Sequence, residues 1–165
     1  MISLQKPCRR YRHSFLEANE EFADRGEVEQ IESDSFEQVL RRCQAEACGL
    51  VTEGRVPQTT FWMVASEDFV GRISIRHHLN PSLVKFGGHI GYAVRPSARR
   101  RGIGKRALRL CLAEAKRLGL LRVLLTCDDD NEGSIRIIEA CGGVLLDKVD
   151  NGRASLTRRY WIDLV

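Results

Sequence analysis

The segment running from Val94 through Arg95-Pro96-Ser97-Ala98-Arg99-Arg100-Arg101-Gly102-Ile103-Gly104-Lys105 to Leu108 constrains this chain most. It sets a strand, a basic glycine loop and a long helix in a row. Gly88–Val94 reads as a strand halted by Pro96. Ile103 to Leu118 carries apolar residues at 103, 107, 108, 111, 112, 115 and 118, the stripe of an amphipathic helix that Gly119 ends. Leu121–Cys127 follows as a dense apolar strand of the buried parallel type. A helix that opens on glycines presents bare N–H groups and the positive end of its dipole. Five cationic side chains between Arg99 and Arg106 surround those groups, which suits a polyphosphate.

The remaining elements arrange themselves around that unit. Ile2–Gln5 reads as a short strand. Ser14-x-x-Glu17 and Ser35-x-x-Gln38 read as capping boxes, each opening a helix, with Gly26 and Gly49 as stops. The period then changes: Thr59–Ala65 and Phe69–His77 are β-rich runs joined by Ser66-Glu67-Asp68, a hairpin. Leu79 to Phe86, which contains Asn80-Pro81, reads as a loop. Beyond the crossover, Asp128 to Asn131 form a turn and Ser134–Cys141 a short helix backed by Gly142-Gly143. Val144–Val149 and Ser155–Ile162 close the chain as a hairpin across Asp150-Asn151-Gly152.

At 165 residues the chain is expected to form one domain, residues 1–165. No apolar run approaches a membrane span and no signal peptide is expected at Met1 to Arg12. Six cysteines without paired spacing read as free thiols in a reducing compartment, the cytoplasm. The histidines form no H-E-x-x-H, so no metal is expected. The net charge of +4 hides an asymmetry. Glu17 to Glu37 is acidic apart from Arg25, and Arg95 to Arg122 is basic apart from Glu114. A basic half for an anionic cofactor and an acidic half for a cationic acceptor is the functional reading; two solvated faces is the plain one.

Three kinds of phosphate loop compete for Arg99 to Lys105. A P-loop fails, because Arg99 stands where its first glycine belongs and Arg106 where its hydroxyl belongs. A dinucleotide fingerprint is met by Gly102, Gly104 and Ala107, yet Arg95–Arg101 separates the strand from the first glycine. Arg99-x-x-Gly102-x-Gly104, after a strand and opening a helix, resembles the [RQ]-x-x-G-x-[GA] loop of the GNAT superfamily of N-acetyltransferases. Asn131-x-x-Ser134 at the start of a short helix, followed by Gly142-Gly143, is similar to that family's second cofactor-facing segment. The order of elements resembles the family's as well, over nearly the whole chain.

The resemblance implies an α+β fold with a mixed, mostly antiparallel central sheet of six to seven strands and about four helices. It implies acetyl-coenzyme A as donor, with a slot between two splayed strands. Backbone groups of Tyr92, Ala93 and Val94 would then take the pantetheine amides, as a sheet edge takes a peptide. Amides from Arg100 to Lys105, Ile103 among them, would hold the diphosphate, with Arg99, Arg100 and Arg101 reaching phosphate or adenine.

Transfer to an amine requires the neutral amine, roughly one molecule in two thousand for a lysine-like group at pH 7. His89 is the candidate base, with His77, His78 and Asp128 behind it. The tyrosine that many family members use as general acid falls at Ile138 and is missing; Cys127, Tyr92 or water are substitutes. Acceptor recognition is expected from the N-terminal helices, the Arg76–Phe86 stretch and the last hairpin, where Tyr160 and Trp161 lie. The expected activity is acetylation of a primary amine on a small molecule or amino acid, by a chain that pairs as a homodimer if it pairs at all. A silent acyl-coenzyme A-binding module and a basic nucleic-acid-binding protein are the alternatives.

Overall fold

The computed structural model describes residues 1–28 and 35–164. Seven strands and five helices alternate as β1 (Ile2–Gln5), α1 (Arg12–Ala23), α2 (Phe36–Ala47), β2 (Gln58–Ala65), β3 (Asp68–Arg76), α3 (Pro81–Lys85), β4 (Ile90–Val94), α4 (Ile103–Arg117), β5 (Arg122–Asp128), α5 (Glu132–Glu139), β6 (Val144–Val149) and β7 (Thr157–Asp163). They build two sheets, in the orders β1-β2-β3-β4 and β5-β7-β6. The α+β class and the strand count match expectation; the helices number five because α3 was read as a loop. Asn80 Oδ1 accepts the Leu83 N–H at 2.9 Å and Pro81 takes the first helical position. Asn-Pro is therefore a cap followed by an N1 proline, not a turn.

Every ladder among the described residues is antiparallel, including β5 with β7, so β5 is not the buried parallel strand its composition suggested. Its dense apolar run has a different cause. Val123, Leu124 and Leu125 are all buried, because both faces of β5 are covered. The two sheets touch at one bridge, Gly88 to Leu125. Gly88 has φ +62°, and a Cβ there would stand 2.3 Å from the Leu124 carbonyl oxygen, so only glycine admits this approach.

The helices divide between the faces of the first sheet. Met63, Ile73 and Ile75 pack with Ala107, Leu108, Cys111 and Ala115 of α4 in a core that also takes Val123, Leu125 and Tyr160 from the second sheet. Trp62, Val64 and Phe69 pack on the other side with Phe15, Phe22 and Phe36 from α1 and α2. Phe15 stacks on Trp62 at 4.8 Å. Neither Phe61 nor Trp62 lines a ligand cavity.

Both expected capping boxes are absent. α1 begins two residues before Ser14, whose buried hydroxyl accepts the Phe69 N–H at 3.0 Å and faces the Tyr11 carbonyl at 3.3 Å. The serine is spent on β3 rather than on its own helix. Ser35 does precede α2, but its side chain makes no cap bond. The β2–β3 turn is tighter than expected: Ser66 and Glu67 alone form it, both with positive φ, and Asp68 already pairs with Ala65.

Candidate functional site

The register of β4 decides which of its backbone groups are free. Arg76 N–H donates to the His89 carbonyl at 2.7 Å and Arg95 N–H to the Val70 carbonyl at 2.9 Å. Odd-numbered residues of β4 therefore turn their polar groups to β3, and even-numbered ones turn theirs to the open edge. Tyr92 and Val94 present theirs to that edge. Ala93, expected to bind as well, pairs with Arg72 and offers only its side chain.

Next comes the loop. Gly102 sits at the N-cap of α4 with φ +74°, and no side chain caps the helix. Its first amides thus face outward without a protein partner. The basic residues around it have separate tasks. Arg95 Nε bonds Glu21 at 2.7 Å, and Ser97 N–H and Oγ each bond the same carboxylate at 2.9 Å. Arg99 Nε donates to the Val94 carbonyl at 3.0 Å, and its guanidinium forks onto Glu27. The Glu27 carboxyl is held below its usual pKa, chiefly by that Arg99 hydrogen bond. Arg101 faces a different crevice, with Asp68 and Ser97.

Two readings of the charge asymmetry change as a result. Glu17, Glu21 and Glu27, acids that the functional reading set aside for a cationic acceptor, pair instead with Arg95 and Arg99 of the loop; residues 29–34 of the acidic stretch lie outside the described residues. Nor is the basic stretch one free cationic face of the kind a nucleic-acid backbone would cover.

A cavity of about 670 Å³ lies over the loop. Of the twelve residues expected at the cofactor, Tyr92, Ala93, Val94, Arg99, Arg100, Gly102, Ile103, Gly104, Lys105, Asn131 and Ser134 line it, and Arg101 does not. The sequence reading missed Glu27, Arg136 and Ile137 on the same wall. Gly104 explains how α5 closes this side: a Cβ there would stand 2.8 Å from Ile137 Cδ1. Asn131 caps α5, its Oδ1 accepting the Ser134 N–H at 3.0 Å. Bare helix amides, an unpaired strand edge and the cations Arg100, Lys105 and Arg136 match what coenzyme A presents: a diphosphate followed by two amides.

A second cavity, about 500 Å³, opens where β4 and β5 separate. Its walls include Arg76, Phe86, Gly91, Thr126, Cys127, Asp128 and Arg153. Tyr92, Asn131 and Ser134 line both cavities. Tyr92 Oη is buried there without a well-formed hydrogen bond, the Ser134 side chain being the polar group beside it. Burial pushes the Tyr92 pKa up to about 12 and that of Cys127 to about 11, so both groups stay protonated at neutral pH.

His89 borders neither cavity. It precedes β4 and is buried, with Nδ1 accepting the Leu124 N–H at 2.9 Å. Burial first, then Arg76, lowers its pKa. Its ring pins the two sheets together behind the slot. His77 Nε2 is engaged with Thr59 Oγ1 at 2.8 Å, away from the slot. Ile138 is buried in the core and lines neither cavity, whereas Ser134, Arg136 and Ile137 are the α5 side chains that do. Tyr160 is buried with its hydroxyl on Glu139 at 3.1 Å, and Arg122 lies over the Trp161 ring at 4.2 Å. Neither aromatic reaches the acceptor side.

Among the described residues no three His, Cys, Asp or Glu side chains group as a metal site, and no helix is long and apolar enough to cross a membrane.

A family model described as the acetyltransferase (GNAT) family matches residues 17–142. No curated protein sequence matches the chain. Among solved structures it is similar to the microcin C7 self-immunity acetyltransferase MccE in complex with acetyl-CoA and AMP, at 15% identity and a TM-score of 0.77, covering 98% of this chain and 92% of that one. It is similar to RimL, a ribosomal L7/L12 alpha-N-protein acetyltransferase in complex with coenzyme A, at 13% identity and a TM-score of 0.76, covering 98% and 93%. A spermidine N-acetyltransferase SpeG chimera from Vibrio cholerae and hSSAT matches at 15% identity and a TM-score of 0.67, covering 99% and 95%. Such identities speak for the fold and leave the acceptor open.

Proposed function

This chain belongs to the GNAT family of acetyltransferases, which use acetyl-coenzyme A, and on that premise we propose that it acetylates the primary amine of a small molecule. The observation that carries the reading is the pair of cavities joined at Tyr92, Asn131 and Ser134. One has the amides and cations for a diphosphate; the other has room for an acceptor. The thioester supplies an activated acetyl carbon where they meet.

The residues then have defined work. The α4 amides with Arg100 and Lys105 take the diphosphate, and the Tyr92 backbone groups with the Val94 N–H orient the pantetheine arm. Asp128 replaces His89 as the base. It is the carboxylate on the acceptor cavity wall, whereas Cys127 and Tyr92 hold their protons. Asp128 accepts the amine's proton, directly or through a water, and the freed lone pair attacks the thioester carbon. As the carbon–sulfur bond breaks, sulfur leaves as a thiolate and the nitrogen, now part of the amide, releases its surplus proton to water. Tyr92 Oη–H is positioned to donate a hydrogen bond to it, and with a pKa near 12 it stabilises that charge without surrendering its proton.

The reading takes residues 1–165 as one catalytic unit, supported by a core that draws on both sheets. Six free thiols support a reducing compartment, the cytoplasm. The edge strand β6 exposes Val144, Leu145 and Leu146, which supports pairing of two copies there. Incubation with acetyl-coenzyme A and a panel of amines, followed by thiol release and product mass, tests the activity. Release matched by acetylated amine is expected. Coenzyme A binding with no turnover on any amine would leave only a binding module.

A further inference from the structure

Arg76 ends β3 on the wall of the acceptor cavity, and its guanidinium lacks a carboxylate partner among the described residues. Nη1 donates to the carbonyls of Gly87 at 3.1 Å and Gly88 at 2.9 Å. Those bonds hold the fork flat against Gly91, whose missing Cβ would lie 3.9 Å from both terminal nitrogens. Among the described residues, Nε and Nη2 have no acceptor. The side chain is half-buried, and burial followed by the neighbouring Arg55 lowers its pKa. A half-buried cation held rigidly but left unpaired is costly unless a ligand completes it. Nine other arginines pair with carboxylates among the described residues, and Arg76 is not one of them. Arg153, across the same cavity, has no acidic partner either.

The wall is also held in place. Arg159 Nη1 donates to the Val84 carbonyl at 3.0 Å, while its Nε bonds Asp147 at 2.7 Å. This ties α3, and Phe86 after it, to the last hairpin. The cavity is therefore framed by two arginines and one carboxylate, Asp128.

Resting on the acetyltransferase reading, we propose that Arg76 is the anion-binding residue of the acceptor site, and that the acceptor is a small amine carrying its own anionic group. The amine lies toward Asp128 and the joint of the cavities, and the anion lies on the open side of the Arg76 fork. Carboxylate and phosphate both fit that fork. A polyamine meets an uncompensated cation there, and a protein N-terminus brings no anion of its own.

The test uses matched acceptors: ethanolamine, β-alanine and O-phosphoethanolamine, together with amino acids and the amines obtained by removing their carboxylates. The wild type is expected to prefer anionic members at least tenfold in kcat/KM, and the carboxylate and phosphate arms tell the two anions apart. Arg76→Gln raises KM for anionic acceptors tenfold or more, with KM for acetyl-coenzyme A and for neutral amines unchanged. Arg76→Lys keeps charge but not the fork, and recovers only part of the preference. Melting curves screen both variants, and if neither folds, the wild-type preference alone decides.

Equal rates on matched pairs, or a preference for spermidine, overturn the proposal while leaving acetyl transfer intact. If no amine turns over, ligand-observed NMR on the coenzyme A-loaded wild type decides. Anion-dependent acceptor binding supports the proposal, and its absence overturns it.

Discussion

His89 Nδ1 accepts the Leu124 N–H at 2.9 Å, and His89 N–H donates to the Leu124 carbonyl at 2.7 Å. Side chain and backbone of one residue thus satisfy both polar groups of another, across the seam between the two sheets. The bond to Nδ1 needs the unprotonated ring. Burial, with Arg76 as the lesser cause, lowers the His89 pKa in the fold. A depressed histidine pKa contributes stability above the unfolded value, about 6.5, and that contribution fades as pH falls.

His89→Leu should therefore lower the melting temperature at pH 7.5 by an amount that shrinks toward pH 5. The cost at neutral pH is expected near 1–3 kcal/mol, that of stranding a buried N–H. Turnover per folded molecule should persist. A loss of kcat of a hundredfold with melting unchanged would return the base role to His89.

The fold was legible where one local rule acted alone. The strand β1, the span of α4 and the strand β6 follow from periodicity and from Gly119. What was not legible needed a partner distant in sequence. Ser14 reads as a cap until β3 supplies the Phe69 N–H. Glu21 and Glu27 read as a field for cations until the loop returns 74 and 72 residues later to pair with them. The residues that line the cavity over the loop were legible because a loop and a helix start are local. On the acceptor side the sequence offers the Arg76–Phe86 stretch and Asp128 as separate candidates, and their convergence on one cavity depends on the two sheets separating.

Glu21 tests the loop clamp. Burial raises its pKa, but hydrogen bonds from Ser97 N–H, Arg95 and the Ser97 hydroxyl outweigh it, and the net shift is below 4.5. Stability from this group is present above that value and lost as pH falls through the folded-state pKa. Glu21→Gln should raise KM for acetyl-coenzyme A about three- to tenfold with kcat nearly constant, since positioning is lost but not chemistry. Its melting deficit should shrink as pH falls below 4.5 toward the lowered folded-state pKa. An unchanged KM at neutral pH would mean that Arg95 and Ser97 hold the loop without it.

Tyr92→Phe separates stability from catalysis. The Oη is buried with no well-formed hydrogen bond and only the Ser134 side chain beside it, so its removal should change stability little, by about 1 kcal/mol at most. The hydrogen bond available to the departing thiolate goes with it, and kcat should fall roughly ten- to a hundredfold. A less stable protein with full kcat would show that the hydroxyl has a structural partner and no catalytic one.

Asp128→Asn removes the carboxylate on the acceptor wall. A loss of about a hundredfold in kcat/KM is expected at pH 7. The deficit should narrow toward pH 10, where a lysine-like amine deprotonates unaided. A deficit constant over that range would assign Asp128 to acceptor binding instead.

Gly102 tests the diphosphate seat. It stands at the start of α4 with φ +74°, and a Cβ there meets nothing within 4 Å, so substitution costs backbone strain rather than a clash. Gly102→Ala carries that strain alone, about 1–2 kcal/mol. Gly102→Glu carries the same strain and sets a carboxylate beside the bare amides of the first turn, in the place of the ligand's own anion. Coenzyme A affinity, measured by calorimetry at moderate salt, should fall at least tenfold further in Gly102→Glu than in Gly102→Ala, and added salt should narrow the gap by screening the repulsion. Equal affinity in the two variants would move the diphosphate away from the start of α4.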